Sequence, residues 1–370
     1  MSRTLDRTLL GLVILLVVGG FFIFSSASLG LLAREGARFS SVAFNQIFYG
    51  IVGGSIALLV ASSIQYRFWR RYAFYIFVTT GILTLLVFVP KIGLELNGAH
   101  RWVRIGFVSF QPSEFLKIGY VIYLATWLSG MKQHIRSFRK GTLPFFSIVA
   151  LVGAVVLAQP DTDTFVIMTL AGVALFLTAG GRWRDVLWLA LFGIALVAVL
   201  AFSRPYIMDR LTSFIDPSVD PQGKSYQINQ SLIAIGSGHI LGRGFGQSIQ
   251  KFEHLPEPIS DSIFAVYSEE FGFIGGVVLI LLFSFFAFRG YRIAAESTDL
   301  FGMLLVVGFV TLIVSQAFLN IAAMLALAPL SGLPLPFISQ GGTALLAVLA
   351  SVGIILNVSK HRKKRSGVVQ

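Results

Sequence analysis

Long apolar runs separated by short polar segments dominate the chain. Ten runs approach about 20 residues, the length that an α-helix needs to cross the hydrocarbon core of a membrane. They cover approximately residues 8–28, 43–63, 72–90, 114–130, 144–159, 162–180, 186–203, 262–288, 300–326 and 341–358. The pattern predicts an all-α polytopic membrane protein with about ten transmembrane helices, built as a single transmembrane domain over residues 1–370.

The composition agrees with a membrane environment. Of the 370 residues, 55% are hydrophobic and only 12% are charged, which is about half the charged fraction of a soluble domain. Because the chain has no cysteine, disulfides, thiolate catalysis and thiolate metal sites are excluded. The five histidines show no ligand-like spacing, so we expect no tightly bound metal and no cofactor.

The net charge of +12 would suggest nucleic-acid binding in a soluble protein. In membrane proteins, however, Lys and Arg gather in cytoplasmic loops and fix the topology. With the N-terminus inside, 18 of the 29 Lys and Arg residues fall in predicted cytoplasmic segments, and each such segment carries at least two. This distribution predicts that both termini are cytoplasmic, and we expect no nucleic-acid partner.

Two predicted outer segments are too long to be simple connectors. They cover residues 91–113 and residues 204–261, and the second is the large extracytoplasmic loop between spans seven and eight. Polar residues concentrated on one side of a membrane protein often mark its functional site. Within the large loop, residues 225–236 keep a helical periodicity. Such a helix could lie in the membrane interface or pack on the bundle.

Asp261 lies where the large loop meets the eighth apolar run. Pro258 suits a helix start and Ser260 could cap it, which would put Asp261 in the first helical turn. The ordinary structural interpretation is therefore a capping or dipole-balancing carboxylate. Glu114 and Lys117 are three residues apart at the start of the fourth run, so they could pair on one helix face.

A series of short motifs covers nearly the whole chain in one order. The motifs are residues 97–102, 110–117, 159–161, 216–217, 220–221, 226–227, 230–232, 248–251, 255–257, 263–266, 269–270, 332–339 and 341–342. Together with ten spans and a long loop after the seventh, they resemble the SEDS proteins (shape, elongation, division and sporulation). Gln250-Lys251 followed by Leu255-Pro256-Glu257 is more similar to the FtsW branch than to the RodA branch.

The resemblance implies an inverting peptidoglycan glycosyltransferase that polymerises lipid II, a disaccharide-pentapeptide on undecaprenyl pyrophosphate. Such enzymes work at the outer face of the bacterial cytoplasmic membrane. FtsW-type members act at the division septum with a class B penicillin-binding protein, a transpeptidase, and other divisome membrane proteins. The essential aspartate of the family maps onto Asp261, which would act as general base.

The leaving group is a lipid pyrophosphate, so outer cations should stabilise its charge. A divalent cation could accompany the pyrophosphate. The substrate-binding candidates are Arg101, Arg104, Glu114, Lys117, Arg210, Arg243 and Lys251.

Two departures from the family pattern lie near the candidate base. Relatives usually carry a His-Thr pair before the aspartate and a Phe after it, where this chain has Ile259, Ser260 and Ser262. Relatives also carry Gly where Asp163 stands. Two other functions stay open: a lipid II flippase, and a division scaffold that recruits a transpeptidase. A flippase predicts polar groups spread through the membrane midplane, whereas here they crowd the outer side.

Overall fold

A computed structural model of the protein describes residues 4–34, 36–96, 99–105, 108–131, 134–203, 205–216 and 225–362. The helices are α1 (Arg7–Arg34), α2 (Gly36–Phe44), α3 (Gly54–Ser63), α4 (Tyr66–Leu85), α5 (Pro112–Gly130), α6 (Leu143–Ala158), α7 (Thr162–Thr178), α8 (Trp183–Ser203), α9 (Pro205–Ile215), α10 (Tyr226–Ser237), α11 (Gln250–Glu253), α12 (Ile263–Ala295), α13 (Leu300–Met324) and α14 (Gly342–Ser359). The strands are β1 (Gly93–Leu96), β2 (Ala99–Ile105) and β3 (Val108–Phe110).

Helices occupy all ten predicted apolar runs. Seven helical stretches in the described part of the chain are long and apolar enough to cross a membrane: Arg7–Ala33, Phe39–Ser63, Tyr66–Phe88, Phe138–Ala158, Ile263–Ala295, Leu300–Met324 and Gly342–Ser359. The apolar helix α7 is shorter, and α5 and α8 cover the other two runs. Helices suit such runs because each backbone N–H and C=O is paired within the segment, without water. The prediction of a polytopic helical membrane protein is confirmed.

The all-α prediction is wrong for β1, β2 and β3. These strands form an antiparallel sheet in which β2 pairs with both β1 and β3. The alternation of side chains along β2 puts Arg101 and Val103 on one face and Arg104 on the other, and Val103 is fully buried. The sheet therefore aims Arg101 toward the helices.

The second apolar run is not a single regular helix. A π-helical segment, Asn45–Gly53, joins α2 to α3 and buries Gln46. The Gln46 side chain accepts a hydrogen bond from the N–H of Gly341 at 3.0 Å and donates one to the carbonyl of Ser339 at 3.4 Å. Extra residues in a helical turn are often found near functional sites. Here the turn holds the segment of residues 331–341 that precedes α14.

The helix α12 is kinked at Gly272, which has φ 66° and ψ −165°. Glycine adopts this conformation without the steric penalty of a side chain. The freed N–H groups of Phe273 and Ile274 bind the carbonyls of His239 and Ile240, at 2.9 and 3.2 Å. The kink therefore anchors the glycine-rich part of the large loop to the bundle.

The two ends of the described chain meet at one end of the bundle. Asp6 forms ion pairs with Arg289, at 2.6 Å, and with Arg362, and its N–H donates to Oγ of Ser359 at 3.1 Å. Arg289 lies near the C-terminal end of α12, whereas Asp261 comes just before its first residue. The two positions are 28 residues apart, so at 1.5 Å per residue the kinked helix separates them by at most about 40 Å. Asp261 and the chain ends therefore lie at opposite ends of the bundle.

Candidate active site

Asp261 lies in a turn that precedes α12. The N–H groups of Ser260 and Ser262 donate to the carbonyl of Glu257, at 3.2 and 3.1 Å, and the helix begins at Ile263. The expectation that Ser260 caps the helix is wrong, because its hydroxyl donates to Oε2 of Glu257 at 3.0 Å. Asp261 is outside the first helical turn, and no hydrogen bond to its carboxylate comes from the described residues. A capping role for Asp261 is therefore also incorrect.

The residues before α14 hold this turn in place. Oγ of Ser339 donates to the carbonyl of Ser260 at 2.6 Å, and the N–H of Gln340 donates to the carbonyl of Ile259 at 2.8 Å. From α13, the amide of Asn320 donates to the carbonyls of both Asp261 and Leu333, at 2.8 Å each. These bonds fix the backbone of Asp261 against residues 331–341.

Three charged groups converge beside Gly332. A methyl group built on its Cα would lie 3.7 Å from Oδ2 of Asp261, 3.8 Å from Nη1 of Arg101 and 4.0 Å from Nη2 of Arg210. These groups come from the turn before α12, from β2 and from α9, which are far apart in sequence. Since Gly332 has no side chain, a space of at least methyl size stays open between one carboxylate and two guanidinium groups.

Each arginine is held by a carboxylate at the start of α7. Nη1 of Arg101 lies 4.0 Å from Oδ1 of Asp161, and the same guanidinium donates to the carbonyls of Gln159, at 3.4 Å, and of Pro160. Nη1 of Arg210 lies 2.9 Å from Oδ2 of Asp163. Asp161 also caps α7 by accepting from the N–H of Thr164 at 3.3 Å. Two ion pairs therefore flank Asp261.

The surroundings of Asp261 raise its pKa to about 7. Removal of the carboxylate from water is the main cause, the negative charges of Glu257 and Asp163 add to it, and Arg210 and Arg101 oppose it. The pKa of Asp161 is also raised, chiefly by burial. A carboxyl with a pKa near neutrality can exchange a proton with substrate at physiological pH.

An apolar cavity opens beside the same group. Its volume is about 470 Å³, and it runs between α6, α7 and α8. Apolar side chains such as Phe165, Leu170 and Ile194 line most of it, while Asp163 and Arg210 line its polar part. Arg210 therefore faces both the cavity and the space beside Asp261.

Arg104 and Arg243 lie outside this group. Arg104 is exposed on the opposite face of β2 from Arg101. Nε of Arg243 lies 3.4 Å from Oε1 of the fully buried Glu269, and the hydroxyl of Ser248 donates to Oε2 of the same carboxylate at 2.6 Å. The structure brings neither arginine to Asp261.

Lys251 is fully enclosed rather than open to a ligand. Its ammonium group donates to Oε1 of Glu270 at 2.7 Å, to the carbonyl of Gly246 at 2.9 Å and to Oγ of Ser26 at 3.0 Å. Both charged side chains are almost completely buried. All three ammonium donors are in use, so none is left for a phosphate. Through these hydrogen bonds, Lys251 links α1, the large loop and α12.

Glu114 and Lys117 form the expected pair inside the bundle. Nζ of Lys117 lies 2.8 Å from Oε1 of Glu114 and 3.0 Å from Oε1 of Gln316. The amide of Gln316 in turn donates to the carbonyl of Pro334 at 2.7 Å. The pair therefore supports residues 331–341 through Gln316 and does not itself reach the space beside Gly332.

Several contributors to the site could not be identified from the chain alone. Asn320 and Gln316 belong to no recognisable catalytic pattern, and their partners come from distant segments. Glu257 lies in the motif of residues 255–257, but the motif does not reveal that its charge raises the pKa of Asp261. Polar side chains deep in an apolar run, such as Gln316 and Asn320, are the one signal that marks such positions. Among the residues that the structure describes, no group of three or more His, Asp or Glu could hold a metal ion.

The fold and this group of charges define a polytopic helical membrane protein with a polar site at one end of its bundle. The family model of the FtsW/RodA/SpoVE proteins, described as "Cell cycle protein", matches residues 6–364. The chain therefore belongs to the FtsW/RodA/SpoVE family.

Related proteins match almost the whole chain. Stage V sporulation protein E of Bacillus subtilis is 38% identical over 350 residues, which are 95% of each chain. A Geobacter protein named "Probable peptidoglycan glycosyltransferase FtsW" is 36% identical over 97% of each chain.

Solved structures share the fold. A chain of a peptidoglycan synthase complex with coordinated polymerization and crosslinking aligns with a TM-score of 0.79 and 26% identity, over 98% of this chain and 99% of that one. The rod shape determining protein RodA of Thermus thermophilus aligns with a TM-score of 0.71 and 25% identity, over 98% of both chains. The resemblance to SEDS proteins is confirmed.

Proposed function

We propose that this protein is a peptidoglycan glycosyltransferase that polymerises lipid II into glycan strands. The observation that carries the proposal is the convergence of Asp261, Arg101 and Arg210 on the open space beside Gly332. Glycosyl transfer from a lipid pyrophosphate needs one base and a cationic site for the leaving group, and this space offers both. The FtsW-named relative supports the same activity.

Asp261 acts as the general base in this proposal. The sugar hydroxyl of the acceptor attacks the anomeric carbon of the donor, and its proton passes to the carboxylate. The bond between that carbon and the pyrophosphate oxygen breaks, the electron pair leaves with the pyrophosphate, and the configuration inverts. Pyrophosphate is a good leaving group, so one carboxylate is enough and no acid is needed.

Arg101 and Arg210 bind the pyrophosphate in this proposal. Guanidinium groups present paired N–H donors that match phosphate oxygens, and here two of them lie near the same point beside Gly332 as the base. The 470 Å³ apolar cavity that Arg210 also lines would hold part of the polyprenyl tail. The lipid would then run from the cavity, past Arg210, to the sugar at Asp261.

The proposed topology has ten crossings, with both termini in the cytoplasm and Asp261 at the outer surface. The contact between Asp6 and Arg362 supports an even number of crossings, because it joins the two ends of the described chain. The Lys and Arg residues of the predicted inner segments support the orientation. The proposed large outer loop, residues 204–261, includes residues 204 and 217–224, which lie outside the described residues.

We further propose that the protein works in the bacterial cytoplasmic membrane, at the division septum. Its partners would be a class B penicillin-binding protein and other divisome membrane proteins. The relative in a peptidoglycan synthase complex supports a cross-linking partner. The FtsW-like motif at residues 250–257 supports a role in division.

The test uses the purified protein in detergent with its cognate transpeptidase and labelled lipid II. A detergent micelle has no two leaflets between which a flippase could move lipid II, so strand synthesis there would come from a polymerase. Long glycan strands on a gel would support the polymerase. A folded complex that makes no strands, but moves lipid II across proteoliposome membranes, would replace the polymerase with a flippase. If the complex has neither activity, the division scaffold that recruits a transpeptidase is the remaining function.

A further inference from the structure

Asp163 joins two segments that come together beside Asp261. Nη1 of Arg210 donates to Oδ2 and Oδ1 of Asp163, at 2.9 and 3.1 Å, and the N–H of Gly332 donates to Oδ2 at 3.0 Å. The Asp163 side chain is 13% exposed and that of Arg210 is 28% exposed, so neither partner of the ion pair is fully buried. Asp163 therefore holds the guanidinium next to the open space without sealing it.

Arg210 keeps donors available while it binds Asp163. Both of its hydrogen bonds to the carboxylate use Nη1. Its Nη2 points toward the position shared with Asp261 and Arg101, 4.0 Å from the methyl group that Gly332 lacks. An anion in this space would meet Nη2 first, and then compete with Asp163 for Nη1.

The charges around this space disfavour the binding of an anion such as pyrophosphate. Four carboxylates face the space or its arginines: Asp161 and Asp163 from α7, Glu257 from the turn, and Asp261 itself. Among the residues that the structure describes, Arg101 from β2 and Arg210 from α9 are the cations that act on Asp261. A pyrophosphate diester brings further negative charge, so it binds well only if it can displace a carboxylate from an arginine. Asp163 is the more accessible of the two arginine-bound carboxylates.

We propose that Asp163 is a positioning residue that holds Arg210 at the site and gives it up to the pyrophosphate of the lipid-linked donor. This inference rests on the proposed function. When pyrophosphate enters, it replaces Asp163 as the partner of Arg210, and Asp163 recovers the arginine as the product leaves. Asp163 thus weakens the binding of substrate and product.

The experiment measures the dissociation constant of undecaprenyl pyrophosphate for the full-length protein in detergent. Asp163→Asn keeps the size and the oxygen acceptor of the side chain but removes its charge. We expect it to tighten binding about fivefold, which is the scale of a partly exposed ion pair, and to lower the KM for lipid II. Unchanged or weaker binding by a folded Asp163→Asn variant would overturn the proposal. If that variant does not fold, Asp163→Gly is tested in the same way.

Two controls distinguish competition between Asp163 and pyrophosphate for Arg210 from the general effect of removing one negative charge near the site. Glu257→Gln removes a carboxylate that has no hydrogen bond to Arg210, so its gain in affinity should be smaller. Asp163→Asn should have no effect on affinity in an Arg210→Gln background, because the contested group is absent. An equal gain from Glu257→Gln, or a gain that survives in the Arg210→Gln background, would contradict the inference.

Polymerisation of lipid II by the wild-type protein is recorded in parallel. If the wild type makes strands but Asp163→Asn binds the pyrophosphate no more tightly, this inference fails and the proposed function stands. If the wild type makes no strands, the proposed function fails whatever the binding constants show.

Discussion

The side-chain amide of Asn320 donates a 2.8 Å hydrogen bond to the main-chain carbonyl of Asp261. The same nitrogen binds the carbonyl of Leu333 at 2.8 Å, and Asn320 is completely buried. One side chain therefore fixes the candidate base against residues 331–341. As a consequence, the width of the space between Asp261 and Gly332 is set by the fold, and a small change at Gly332 should act directly on the chemistry.

The substitution Gly332→Ala tests the importance of that space. The added methyl group would lie 3.7 to 4.0 Å from Asp261, Arg101 and Arg210, which is ordinary van der Waals contact, so the protein should fold normally. It would occupy the position where substrate oxygens must sit. We expect kcat/KM for strand synthesis to fall about 10- to 100-fold with an unchanged melting temperature. Gly81→Ala is the control, because its methyl group meets no atom within 4 Å. Full activity of Gly332→Ala would show that substrate does not enter there.

The pH dependence of polymerisation should report the ionisation of Asp261. Its pKa is raised to about 7, so the carboxylate that accepts a proton is lost as the pH falls through that value. We expect kcat/KM to fall about tenfold per unit below about pH 7, in initial rates measured from about pH 5 to about pH 9. Glu257→Gln should move this limb to lower pH, since Glu257 helps to raise the pKa. A rate that stays constant down to about pH 5 would exclude Asp261 as the titrating base.

The buried pair of Lys251 and Glu270 should contribute to folding rather than to substrate binding. Lys251→Met leaves the carboxylate of Glu270 enclosed without its cation, which we expect to cost about 3–5 kcal/mol. The double variant Lys251→Met/Glu270→Met removes both charges and should recover most of the lost stability. Thermal unfolding followed by fluorescence-detected size exclusion measures both. A stable Lys251→Met variant with a raised KM for lipid II would instead favour a substrate contact.

Asp6 should stabilise the end of the bundle opposite to Asp261. Burial alone would raise its pKa, but hydrogen bonds from Arg289, the N–H of Leu9 and Arg362 outweigh burial and lower the pKa to about 2. Because the folded-state pKa is below the ordinary value of 3.8, this stabilisation is present above about pH 4 and is lost as the pH falls toward 2. We expect Asp6→Asn to cost about 1–2 kcal/mol at neutral pH and to abolish that part of the acid sensitivity. Identical melting curves for both proteins at neutral pH would contradict this.

Apolar run length was sufficient to predict the long apolar helices, because a membrane-spanning segment is recognisable from its own residues. The sheet of β1, β2 and β3 was missed, since its strands are short and only their pairing reveals them. The amphipathic helix α9 was also missed within the large loop, whereas α10 was expected from its periodicity. The helix α10 buries Ile228, Ser231 and Ala234, as expected of a helix that packs on the bundle.

The site was only partly predictable for a similar reason. Family resemblance selected Asp261, the predicted outer position of their cationic side chains selected Arg101 and Arg210, and these three residues converge in space. The same resemblance and the cationic character of the side chain also selected Lys251, but a sequence does not show that Ser26 and Glu270 enclose it. The role of Gly332 depends on the absence of a side chain, so this role becomes visible only when the surrounding groups are located.

Strand synthesis by Asp261→Asn tests the central claim most directly. The amide keeps the shape of the carboxylate but cannot accept the proton of the attacking hydroxyl. With labelled lipid II and the cognate transpeptidase, we expect long strands from the wild type and at least an about 100-fold lower rate from a variant with the same melting temperature. Equal rates from both proteins would contradict the assignment of Asp261 as the base.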